Sequence, residues 1–130
     1  MKLANLIPIL GVADVGKTIK FYEDALKFEV KNTYEHEGIL VWAFLQSREV
    51  ELMVEAHEEQ VSNNSHQLEK DTTLYFYPDD VEELHALLKT QGYPVSDRRV
   101  TFYGMKEFHL QDPNGYLLCF GQETDESPTA

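Results

Sequence analysis

From Ile9 to Val30 the chain runs from apolar to acidic to helix-periodic and back to apolar: ILGVADVGKTIKFYEDALKFEV. Val15, Ile19, Tyr22 and Leu26 recur at helical spacing behind Asp14, which predicts a helix with Asp14 as its N-cap. The segment LYFYPDDVEELHALLKTQGYPV, from Leu74 to Val95, repeats the pattern, with Asp80-Val81 answering to Asp14-Val15 and Val95 to Val30 within one residue. Here Asp80 with Glu83 forms a capping-box-like start, Val81, Leu84, Leu87 and Leu88 form the stripe, and Gly92 suits the helix end. Each helix has one apolar face, which must lie on a sheet.

Three strand candidates follow each helix: Phe28 to Tyr34, Ile39 to Gln46 and Val50 to Glu55 in the first copy, then Tyr93 to Arg98, Gly104 to Gln111 and Tyr116 to Gly121 in the second. The last is entered through the turn Asp112-Pro113-Asn114-Gly115. The predicted fold is therefore α+β, with two tandem βαβββ modules over 5–56 and 71–122, a polar linker over 57–70, and one domain over 1–122. The polar tail 123–130 is expected to be disordered.

Composition narrows the function. A chain of 130 residues can bury a core without staples, and a single cysteine cannot form an internal disulfide, as suits a reducing compartment. No window pairs a basic start with a long apolar run, so a cytoplasmic protein without a membrane partner is expected. With 11 basic and 23 acidic residues the net charge is −12, which disfavours nucleic acid and is consistent with either ordinary solubility charge on exposed faces or attraction of a cationic ligand.

Three stretches, PILGVADVGKTIKFYEDALKFEV, LYFYPDDVEELHALL and YGMKEFHLQDPNGYLLCFG, together resemble the vicinal-oxygen-chelate superfamily of glyoxalases, bleomycin-resistance proteins and extradiol dioxygenases. The final run most resembles the bleomycin-resistance-like branch. The resemblance implies that each module curls its mixed sheet halfway round a cleft, with one main helix outside, and that the protein is a homodimer. One departure is Lys27, where the family often has Gly; it suggests a helix end that needs no positive φ.

The resemblance also implies where a metal would sit. Metal-dependent members place one His, Gln or Glu on the first and last strand of each module, positions that carry over to Ile7, Glu51, Thr73 and Cys119. Only Glu51 keeps a usual ligand, so no metal cofactor and no catalytic residue is assigned. Cys119 reads as a small hydrophobe in a pocket wall; a nucleophilic cysteine would need a base such as His109 on the preceding strand.

Alternation then extends the cleft-facing set. Trp42, Phe44, Met53, Tyr75 and Tyr77 form apolar walls, Glu51, Glu107 and His109 are polar points beside Cys119, and Phe102 and Tyr103 could close over them. The leading expectation is a metal-independent protein sequestering an aromatic or cationic compound. The alternative is a metal-dependent lyase, isomerase or dioxygenase with donors from Glu107, His109 or His57.

Overall fold

The computed structural model describes residues 1–57 and 72–130. Most of the 57–70 linker lies outside the described residues. The chain divides into two units, each a four-stranded mixed sheet with one helix. Both repeat the βαβββ order predicted from the sequence.

In the first unit β1 (Ile9–Val12), α1 (Val15–Leu26), β2 (Glu29–His36), β3 (Ile39–Ser47) and β4 (Val50–Ala56) form a sheet in the order β1-β4-β3-β2. The β1–β4 pairing is parallel, the other two antiparallel. Asp14 caps α1, its Oδ1 accepting the Lys17 N–H at 3.0 Å. Val15, Ile19, Tyr22 and Ala25 are buried on the helix, and Leu10, Val12, Ala43, Leu45, Leu52 and Val54 on the strands. These are alternate positions along each strand, so the sheet presents one face to its core and turns the other outward.

The end of α1 differs from expectation. Lys27 is left-handed, at φ 60° and ψ 33°, with its N–H donating to Glu23 O and its Nζ to Asp24 O. A β-carbon in this region costs about 1 kcal/mol that glycine avoids. Lys27→Gly should therefore stabilise the protein by about 0.5–1 kcal/mol in urea unfolding, part of the relief being offset by glycine's freedom in the unfolded chain. A variant no more stable than the parent would mean that the lysine's own bonds offset the strain.

The second unit contains β5 (Thr73–Phe76), α2 (Val81–Thr90), β6 (Arg99–Val100), β7 (Met105–Gln111) and β8 (Leu117–Glu123), in the order β5-β8-β7-β6. Asp80 caps α2 through the Glu83 N–H, and Gly92 follows the helix at φ 94°. The buried stripe is Val81, His85 and Leu88; Leu87 points outward. His85 replaces it because its Nε2 meets Ser96 O at 2.9 Å while its ring stands edge-on to Phe108. A polar residue is thus tolerated inside, with its hydrogen bond made.

One further expectation is corrected here. The strand predicted over Tyr93 to Arg98 does not form, and a two-residue strand, Arg99–Val100, follows that stretch instead. Pro94 has no N–H to give a ladder, and the Ser96 hydroxyl, rather than a backbone carbonyl, accepts the His109 N–H. Beyond β8, the Thr129 N–H donates to Val100 O, the Val100 N–H donates to Thr129 Oγ1, and Glu126 accepts from Lys106 at 2.6 Å. Glu82 on α2 joins Lys106 and Arg98 in the same network, which holds the Glu82 carboxyl below its ordinary range and the Lys106 amine above its own. No helix among the described residues is long and apolar enough to cross a membrane.

Candidate functional site in the second unit

The outward face of the second sheet carries a compact polar cluster. Alternation along β7 places Glu107 and His109 on that face, and β8 adds Cys119, the direct cross-strand partner of His109. Cys119 is in turn the partner of Tyr75 on β5, while Glu107 lies opposite Gly121. Glycine is required there: a Cβ at 121 would lie 2.6 Å from the Tyr75 ζ carbon and closer still to its hydroxyl. With no side chain in the way, the Tyr75 phenol reaches across β8 to Glu107.

Two phenols converge on one oxygen. Tyr75 and Tyr103 each donate to Glu107 Oε2 at 2.6 Å, short distances of the kind a carboxylate acceptor produces. Glu107 is only 6% exposed, whereas Tyr75 and Tyr103 are 37% and 55% exposed, so the tyrosines roof the carboxylate. Their shifts agree with that placement. Burial, then the hydrogen bond to Glu107, pushes the Tyr75 phenol far above its ordinary range; for Tyr103 the Glu107 hydrogen bond comes first. Burial also pushes the Cys119 thiol up to about 12, with the nearby Glu107 charge and hydrogen bond adding to it. That thiol is a poor nucleophile at neutral pH, which removes the activated-cysteine reading.

Other predicted residues join this face to different degrees. Tyr77 packs its ring 5.2 Å from that of Tyr75, and Phe102 stands edge-on to Tyr103 at 5.0 Å, itself 88% exposed. Trp42, Phe44, Met53 and Glu51 belong to the first unit. The register brings Phe44 opposite Met53, and Met53 beside Ile9, on an apolar outward face. Glu51 lies opposite Gln46 and accepts from Asn5 Nδ2 at 3.2 Å. Asn5 and Gly121 were missed by the sequence reading. Gly121 was legible only as a strand end, since its role depends on a phenol arriving from another strand.

The four positions implied for a metal do not fit one. Ile7 has no donor, Thr73 is an exposed neutral hydroxyl, and Glu51 is already bonded to Asn5. Sheet register also shows that Glu51 and Cys119 are not equivalent. Ile9 pairs with Met53 and Tyr75 with Cys119, so the counterpart of Cys119 is Met53, and that of Glu51 is Leu117. Neither Met53 nor Leu117 restores a ligand for a hard ion.

Solved structures with this fold include binding proteins and a glyoxalase-related enzyme. TnmS3, an antibiotic binding protein from Streptomyces sp. CB03234, is 17% identical, with 95% of this chain and 99% of that chain covered and a TM-score of 0.72. A bleomycin-binding protein complexed with bleomycin is 22% identical over 93% of this chain and 99% of that one, with a TM-score of 0.71. A glyoxalase-related enzyme from Clostridium phytofermentans is 17% identical over 95% and 97%, with a TM-score of 0.73. Binding proteins and an enzyme-related protein thus match equally well, so the likeness shows the fold and not the chemistry. Among curated proteins none matches the chain. Residues 5–120 match one family throughout both repeats, and the chain belongs to the Glyoxalase/Bleomycin resistance protein/Dioxygenase superfamily.

Proposed function

We propose that the chain is a metal-independent small-molecule-binding protein that sequesters an aromatic or cationic compound, acting as a homodimer as the family resemblance implies. One observation carries this reading. The Glu107 carboxylate is buried, its hydrogen-bond partners are two phenols and a thiol, all neutral, and exposed aromatic rings surround it. A buried carboxylate is costly until a positive charge approaches, and tyrosine faces attract the same charge through their π-systems. An ammonium or guanidinium group next to Tyr75, Tyr77 and Tyr103 satisfies both demands. The net charge of −12 favours the approach of such a ligand.

In the first unit Trp42, Phe44 and Met53, with Glu51 at the margin, offer an apolar surface for flat groups. Phe102 and Tyr103, in the loop before β7, are placed to fold over the second unit's face. An antibiotic-binding protein and a bleomycin-binding protein share this fold, which supports ligand capture as the reading.

Calorimetric titration with a bleomycin-type glycopeptide and with a planar cationic dye tests the reading. Micromolar or tighter binding of at least one is expected, weakened at least about tenfold by Glu107→Gln, since the substitution keeps the shape and removes the charge. Failure of both probes to bind, or equal affinity in the variant, would overturn it.

A further inference from the structure

We propose that Glu107, His109 and Cys119 form a site for a borderline-soft divalent ion such as zinc, sharing only Cys119 with the four positions the family resemblance implied and taking its other two donors from β7. Their donor atoms, one carboxylate oxygen, one ring nitrogen and the Sγ, already lie within 4.8 Å of one another. Donors in a tetrahedral site with bonds of about 2.0 to 2.3 Å stand about 3.3 to 3.8 Å apart, so a closing of about 1 Å completes the arrangement. The half-buried His109 ring can make that movement by rotating about its side-chain bonds.

The backbone supports the set. His109 and Cys119 are direct cross-strand partners and Glu107 is two residues from His109 on the same face, so the sheet fixes all three origins. The His109 backbone is held from both directions, its N–H donating to Ser96 Oγ and its carbonyl accepting the Ser96 N–H. Tyr75 and Tyr103 both bind Oε2 of Glu107, a supporting layer of the kind that orients metal-ligating carboxylates. Sulfur, imidazole and carboxylate together suit zinc or cobalt(II) better than magnesium or calcium. Three protein donors leave the fourth position to water or to a ligand.

Binding exchanges one proton for the ion. The Cys119 S–H bond breaks, its proton passes to solvent, and the electron pair left on sulfur forms the bond to the metal; the carboxylate and the imidazole each donate a lone pair without further change. The ion takes up the Glu107 charge that the proposed function reserves for a cationic compound, so the two compete for one carboxylate. Ion binding is nevertheless measured on ligand-free protein, and its result is independent of the ligand reading.

Cobalt(II) is the probe. Protein stripped with chelator is titrated with cobalt(II) and then challenged with zinc, with absorption read in the near-ultraviolet. Expected are one retained equivalent, a thiolate-to-cobalt charge-transfer band, and its bleaching by zinc. Cys119→Ser should abolish the band, and His109→Ala should weaken retention at least tenfold. His36→Ala, an exposed position outside the cluster, should leave both unchanged. His109 is not part of the core, so its variant keeps the test valid if a cysteine variant misfolds, as checked by circular dichroism. No retained ion, retention without the band, or undiminished retention in a folded His109→Ala variant would overturn the assignment.

Discussion

In chelator-treated protein at pH 8, iodoacetamide should modify Cys119 about a thousandfold more slowly than it modifies the same thiol in the denatured chain. The factor follows from the thiolate population. Burial and Glu107 raise the thiol from its ordinary 9.0 to about 12, and three units remove about three decades of thiolate wherever the pH lies below both values. Steric cover adds to the effect, since the residue is 3% exposed. The rate should climb about tenfold per pH unit without levelling near 9, and a plateau there would place the thiol in an ordinary environment and revive a nucleophilic role. The same shift has a sign for stability. Because the folded-state value is raised, the contribution of Cys119 is fully present below pH 9 and is lost as pH rises from there toward 12, at up to about 1.4 kcal/mol per pH unit. Tyr75, shifted in the same direction, steepens the alkaline loss.

Phe108→Ala should destabilise the protein by about 3–5 kcal/mol in urea unfolding, the cost of deleting a buried aromatic ring and leaving a cavity. Phe108 is 0% exposed, stacked on Phe120 with centroids 5.0 Å apart and met edge-on by His85 at 4.9 Å. Its position between Glu107 and His109 gives the substitution a second consequence. Both outward-facing residues take their direction from the strand segment that this ring anchors to the core. A loss below about 1 kcal/mol would show that Phe120 and His85 collapse into the space.

The repeat was readable because it is written in two periods that do not overlap, 3.6 along the helices and 2 along the strands. Asp14 and Asp80, capping residues followed by apolar stripes, located both helices, and alternation sorted Leu52, Val54, Leu118 and Phe120 to the core face. Cross-strand facts were not readable in the same way. That His85 displaces Leu87 from the stripe and that Ser96 takes the place of a ladder carbonyl each depend on a partner more than ten residues away, while the left-handed turn at Lys27 rests on local bonds to Glu23 and Asp24 that its side chain does not announce. Alternation grouped Tyr75, Glu107, His109 and Cys119 on one face. It could not disclose that the glycine at 121 lets a phenol cross the strand, nor that Met53 rather than Glu51 is the counterpart of Cys119.

That correspondence also says where this fold can be rewritten. Trp42, Phe44 and Met53 hold the lattice points that Glu107, His109 and Cys119 hold in the second copy, as the pairings Trp42 with Glu55, Phe44 with Met53, Glu107 with Gly121 and His109 with Cys119 establish. One backbone grammar thus spells Trp, Phe and Met at three points in one half and Glu, His and Cys at the same points in the other. A site that admits indole in one copy and carboxylate in the other is not dictated by its strands. These three rows are therefore open vocabulary for engineering a new ligand preference, while the helix stripes and the inward rows remain fixed text.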